Sequence, residues 1–227
     1  MEKKEVIIKA LTKEELPALP KMVTDIWLPL TPGQEAAVLN DDILNIPAEE
    51  TPWGIAWQKY PKGYLVAVVD GKLAGEFRSI RLNYDIENPC CDWDEISGHV
   101  LHTTHEPDGD TVYGIALGVH PDFRGYGVGQ KLAVGLQELC REENCKRVCL
   151  GARIPDYHKH TDVPVEEYIR LRREDGQLLD SELRFYARAG YHFTKVLPEY
   201  MRGENADPES LNYGVLAIWD NPDYHED

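Results

Sequence analysis

The sequence predicts a mixed α/β domain, and three observations carry that prediction. The stretch "YLVAVVDGKLAGEFRSIRL" reads as a hairpin, because two apolar runs flank Asp70-Gly71, a strong two-residue turn. The stretch "VYGIALGVHPDFRGYGVGQKLAVGLQELC" passes from an apolar strand through a glycine-rich turn into an amphipathic helix. Two further apolar runs, His192–Val196 and Asn212–Trp219, read as closing strands.

The remaining elements fall between these. Val6–Leu11 is a short strand, followed by "TKEELPALPKMVTDIW", where Thr12 and Glu15 have capping-box spacing ahead of a helix that Pro17 and Pro20 disturb. Glu35–Leu44 and "WGIAWQKY" are read as helical. Asn83–Asp110 is long, polar and irregular, the mark of a functional loop or an insertion. Arg147–Ala152 is a strand, and Arg153–Gly176 is a second insertion containing a helix over Pro164–Arg173. Asp180 or Ser181 caps a last helix that runs to Ala189, with Gly190 as its stop. The expectation is one domain over residues 1–227, with insertions at about 83–110 and 153–178.

Composition narrows the function classes. The net charge is -16, and no long stretch clusters Lys and Arg, so nucleic acid is not an expected partner. An acidic surface draws in cations such as amines, and any anionic ligand needs its own local donors. No apolar run has membrane-spanning length and the N-terminus does not read as a secretory signal, so a cytoplasmic location and no membrane partner are expected. The five cysteines lack zinc-ribbon spacing and are read as reduced packing residues. His99, His102 and His105, followed by Glu106, Asp108 and Asp110, are read as a polar loop in preference to a metal site, and no metal is expected.

The glycines ahead of the Gly129–Glu142 helix need a reason. The first N–H groups of a helix have no internal partner, and its dipole leaves positive charge there. Gly125, Gly127 and Gly129 let that backbone approach a bulky anion, and Arg124 adds a full charge at the lip. A P-loop is excluded because Gln130-Lys131-Leu132 follows Gly129, and the GxGxxG dinucleotide spacing is absent. The spacing Arg124-x-x-Gly127-x-Gly129 resembles the acetyl-CoA signature of the GNAT N-acetyltransferases. "LGVHPDFRG" resembles the end of that family's fourth strand, and "LRFYARAGY", Leu183–Tyr191, resembles its tyrosine helix motif. A narrower resemblance, in "DGDTVYGIALGVHPDFRG", "RIPDYHKH", "PVEEYIRL" and "LNYGVLAIW", is to GNAT domains often fused to nitrilase-type carbon-nitrogen hydrolases; the chain closes at Asp227, so a free-standing relative is expected.

The resemblance implies a mostly antiparallel central sheet flanked by helices, with a strand pair splayed at the acyl-CoA site. It implies acetyl transfer from acetyl-CoA, the cosubstrate, to a primary amine of a small-molecule acceptor by direct attack. Leu117, Gly118 and Val119 would pair with the pantetheine arm, the Val119 N–H would polarise the thioester carbonyl, and the turn Arg124, Gly125, Tyr126, Gly127, Val128 and Gly129 would hold the pyrophosphate. Tyr186 would be the general acid: a phenol of pKa ~10 stays protonated at neutral pH and can donate to a thiolate whose acid has pKa ~8.5. Where relatives carry an asparagine contacting the CoA arm, this chain reads "LLDSELRF", with Asp180 or Ser181 as substitutes. The base that deprotonates the amine is left open among Glu76, Asp110, Tyr113, His120 and water. The segment with Arg153, Tyr157, His158, Lys159 and His160 is placed at the acceptor pocket wall. Exposed edge strands make a homodimer a further expectation. The competing reading is a non-catalytic acyl-CoA binding or sensing module, for which Tyr186 has no use.

Overall fold

The computed structural model describes residues 4–27 and 41–226. Among them seven strands form one sheet in the order β1-β2-β3-β4-β5-β7-β6. They are β1 (Val6–Ala10), β2 (Tyr64–Val69), β3 (Lys72–Leu82), β4 (Thr111–Val119), β5 (Arg147–Arg153), β6 (His192–Leu197) and β7 (Gly214–Asp220). Every neighbouring pair is antiparallel except β4 and β5, which run parallel. Asp70 and Gly71 both take positive φ at the tip of the β2–β3 hairpin, as a two-residue turn demands.

Strand alternation sends side chains to two layers. On one face, α4 (Val128–Glu142) buries Leu132, Leu136, Leu139 and Cys140 against Phe77, Val112, Val148 and Leu150. Leu183 and Tyr186 of α6 (Ser181–Arg188) join this layer. On the other face, α1 (Leu19–Trp27) and α2 (Pro52–Lys59) cover Tyr64 and Val66, while α3 (Trp93–Ser97) covers Ile80, Tyr113 and Ile115.

Several local expectations need correction. Glu15 does reach back to Thr12, accepting its N–H and Oγ–H at 3.1 Å each, but a 3₁₀ turn, Leu16–Ala18, intervenes before α1. Pro17 and Pro20 therefore begin helical segments, where a missing N–H is no loss, and do not disturb one. The Glu35–Leu44 helix lies outside the described residues up to position 40, and the chain continues as a 3₁₀ turn at Asp41–Asn45. The helix expected over Pro164–Arg173 is only α5 (Val165–Tyr168). Beyond it the chain folds back: Arg172 bridges Leu178 around Gly176, at φ 79°, and Asp175 Oδ1 accepts the Gln177 N–H at 3.0 Å. A glycine at positive φ beside an Asx turn outcompetes helix extension.

Candidate active site

The site begins where β4 and β5 part. They pair only from Thr111–Arg147 to Gly114–Leu150. β5 then continues along β7 to Arg153–Gly214, and β4 continues along β3 to Val119–Gly75. The divergence has a local cause. The register on β3 runs Ser79–Gly114 and then Arg78–Ala116, so Ile115 is an extra, bulged residue. A bulge bends and overtwists its strand. The indole N–H of Trp93 donates to the Ile115 carbonyl at 2.9 Å, filling the fork. The His120 N–H is spent across β3 on the Ala74 carbonyl at 3.0 Å. By strand alternation, the N–H groups of Leu117 and Val119 point to the open side, without a β5 partner. Gly118 belongs to the other layer, since a Cβ there would lie 2.6 Å from Ile26.

The cradle at the start of α4 follows β4 directly. Gly125 and Gly127 take φ of 84° and 78°, and no atom lies within 4 Å of where their Cβ would be. Gly127 caps α4 without a side-chain hydrogen bond, and the first helical bond runs from the Lys131 N–H to the Gly127 carbonyl at 3.1 Å. The N–H groups of Val128, Gly129 and Gln130 thus precede any intrahelical partner. Arg124 is exposed, Tyr126 is half-buried, and the Val128 side chain is buried in the core. Gly129 serves a different purpose from its neighbours: a Cβ there would meet the Phe185 ring at 3.1 Å. It lets α6 pack close, and Gln130 and Gln137 fasten the two helices by donating to the Phe185 and Ala189 carbonyls at 2.7 Å each.

Tyr186 stands on the inner face of α6. Its ring is buried, packed edge-on against Phe185 and Tyr191. Among the described residues its hydroxyl has no hydrogen-bond partner. Burial, reinforced by the nearby Glu182 carboxylate, pushes its pKa well above the ordinary phenol value.

One turn earlier sits Glu182, which sequence reasoning passed over. Its Oε1 accepts the backbone N–H of Arg153, the last residue of β5, at 3.2 Å. Its other oxygen has no hydrogen-bond partner among the described residues. Burial raises its pKa to about 7, against the opposing pull of the Arg153 charge. The i, i+4 spacing to Tyr186 was the one signal available in the sequence. Asp180, an expected substitute for a CoA-contacting asparagine, is consumed structurally. Its Oδ1 accepts the Glu182 and Leu183 N–H groups at 2.9 and 3.1 Å, and its Oδ2 accepts the Tyr168 hydroxyl at 3.0 Å.

The bases suggested by location have other attachments. Glu76 is fully buried, accepting from the Tyr64 hydroxyl and from Trp27 Nε1 at 3.3 Å. Asp110 pairs with Lys146 at 2.9 Å, and Tyr113 with the Tyr200 hydroxyl at 3.0 Å. His120 accepts the Asp122 N–H at 3.2 Å and faces Asp25. The histidines of the 99–105 loop are not gathered. His105 stacks on Tyr60 and accepts the Arg81 N–H at 3.0 Å, while His102 is buried elsewhere. In the Arg153–His160 segment, Arg153 is clamped by Asp207 and Glu209, Tyr157 donates to the Val163 carbonyl, His158 contacts the Pro155 and Glu209 carbonyls, Lys159 pairs with Asp156, and His160 stacks on Tyr168.

Comparison with known proteins shows the family. Residues 24–160 match the profile of the acetyltransferase (GNAT) family. Two Bacillus subtilis proteins are each 31% identical. One, named as the uncharacterized N-acetyltransferase YkwB, aligns over 73% of this chain and 71% of its own length. The other, named as the probable hydrolase YhcX, aligns over 74% of this chain, which spans only 32% of that protein. Among solved structures, the loading GNATL domain of CurA from Lyngbya majuscula superposes with a TM-score of 0.70 at 22% identity, covering 95% of this chain and 98% of that one, a likeness of fold. A strand pair opened by a bulge, followed by a helix whose first N–H groups precede any intrahelical partner, is thus found in a chain that belongs to the GNAT family of acyl-CoA-dependent N-acyltransferases.

Proposed function

We propose that this chain transfers an acetyl group from acetyl-CoA to the primary amine of a small molecule by direct attack, without a covalent enzyme intermediate. The observation that carries the reading is the Tyr186 hydroxyl: without a hydrogen-bond partner among the described residues, on a buried ring of the helix that packs on β5, from which β4 has parted. A module that only binds acyl-CoA has no use for it.

The chain's own residues divide the work. Val128, Gly129 and Gln130 offer free N–H groups to the diphosphate, aided by the helix dipole and by Arg124. The Leu117 backbone pairs with the pantetheine arm as an added strand, and the Val119 N–H donates to the thioester oxygen as it gains charge. Glu182 takes a proton from the substrate ammonium. The amine nitrogen forms its bond to the acyl carbon, the carbon–sulfur bond breaks, and Tyr186 gives its proton to the departing sulfur. The proton held by Glu182 restores Tyr186, and the second ammonium proton leaves to water. Burial raises the phenol pKa, but the same poorly solvated setting raises that of the thiol, so the proton transfer is not opposed by the full shift.

The test incubates the protein with acetyl-CoA and a panel of primary amines (an alkylamine, a polyamine, an arylalkylamine and amino acids), following free thiol. Amine-dependent thiol release is the expected outcome. Tight CoA binding by calorimetry with no turnover on any amine refutes transfer in favour of a sensing module.

A further inference from the structure

On the sheet face opposite α4 and α6, three buried side-chain nitrogens lack a hydrogen bond among the described residues: Arg78 Nε, Arg78 Nη1 and His102 Nε2. Arg78 is 4% exposed and His102 1%. An unmet buried donor carries a desolvation penalty, and native structures rarely leave several together. Glu76 Oε1 forms an ion pair with Arg78 Nε at 3.4 Å without a hydrogen bond, and Glu76 is already engaged by Tyr64 and Trp27.

His102 is held there at a cost. His99, Val100 and His102 all take positive φ, at 54°, 70° and 56°. For a β-branched residue such as Val100 that conformation is strongly disfavoured, and strain of this kind gathers at ligand sites. Burial, with the Arg78 charge added, keeps the imidazole neutral, its pKa lowered to about 3, so one ring nitrogen can donate.

The location ties this cluster to the acyl site. Arg78 lies opposite Ala116 and Glu76 opposite Gly118, the stretch of β4 that has left β5. The start of α4 packs on one face of the sheet, and Arg78, next to Phe77 of that face on β3, belongs to the other.

We propose that Arg78 and His102 receive the carboxylate of the acceptor, so that the preferred substrate is an amine carrying its own carboxylate, of the amino-acid class. The guanidinium edge that Glu76 leaves unpaired, Nη1 with Nη2, matches the spacing of a two-oxygen acceptor, which would reach the buried Nη1 only as neighbouring side chains part. The acidic surface draws in the ammonium end of such a zwitterion, and Arg78 fixes the other end.

This inference rests on the transfer reading, and the experiment separates the two. Turnover and thermal stabilisation of the CoA-saturated protein are measured with a series of α-, β- and γ-amino acids and with their carboxamides. Wild-type protein should favour at least one carboxylate over its carboxamide by about 10- to 100-fold, the worth of a charged hydrogen-bonded pair. Arg78→Gln and His102→Gln, each checked for CoA affinity, should shrink that ratio to a few-fold. The wild-type comparison needs no variant, so a misfolded Arg78→Gln leaves the proposal open to refutation. Equal response to carboxylates and carboxamides overturns it, with ordered water alone then meeting the buried nitrogens. Stabilisation by carboxylates that depends on Arg78, without turnover, upholds the pocket and refutes transfer.

Discussion

Replacing Gly127 by alanine isolates the proposed cradle. At φ 78° an L-residue pays about 1–2 kcal/mol for the left-handed backbone, and nothing within 4 Å of the added Cβ adds a clash. For a chain of this size that corresponds to a Tm lower by about 2–8 °C. Gly176 provides the matched control: its φ is 79°, its Cβ space is equally empty, and it lies in the turn between Arg172 and Leu178, outside the cradle. The two variants should lose similar stability. Only Gly127→Ala brings a methyl group up to the free N–H groups of α4, where one or two charge-assisted hydrogen bonds to phosphate are worth about 1.5–3 kcal/mol each. CoA affinity by calorimetry should therefore fall about 10- to 100-fold in Gly127→Ala and stay within about twofold of wild type in Gly176→Ala. Equal CoA affinity in the two variants, with equal Tm loss, would refute the cradle.

Other perturbations test separate parts of the site. Tyr186→Phe removes a hydroxyl with no hydrogen-bond partner among the described residues, so Tm and CoA affinity should hold while kcat falls about 100-fold, the lower end of general-acid effects. Glu182→Gln keeps an oxygen for the Arg153 N–H but cannot take a proton, so the wild-type rise of kcat/KM through about pH 7 should disappear from the rate profile. Arg153, Asp180, Asp207 and Tyr186 all bear on that carboxyl, and they are unchanged in the variant. Because folding raises the proton affinity of Glu182 above its ordinary value of 4.5, its contribution to stability is complete below that pH and lost as pH rises through about 7. Melting scans of Glu182→Gln should accordingly show a flatter pH dependence between pH 5 and 8 than wild type. Trp93→Phe leaves the Ile115 carbonyl without its donor and should destabilise the chain by about 1–3 kcal/mol in denaturant titration.

How far the sequence reached depended on whether the signal was local. The β2–β3 hairpin was legible because Asp70-Gly71 admits few backbones. The amphipathic α4 was legible because Leu132, Leu136, Leu139 and Cys140 recur at helical spacing. The short α5 was overestimated, since the competing turn around Gly176 is stabilised by the Arg172–Leu178 bridge. Glu182 was missed because its significance comes from an amide of β5 far from it in the chain. Gly129 was grouped with Gly125 and Gly127 by spacing, whereas its space is claimed by Phe185 of another helix.

By itself the sequence determined the element types and the glycine turn, because each rests on backbone preference or periodicity within a few residues; the tyrosine helix was legible only through its resemblance to the GNAT motif. Only the tertiary structure decided where β4 leaves β5, which carboxylate stands beside Tyr186, and that Arg78 and His102 share an unmet hydrogen-bonding need. These are matters of register and burial between distant segments, and no local pattern encodes them.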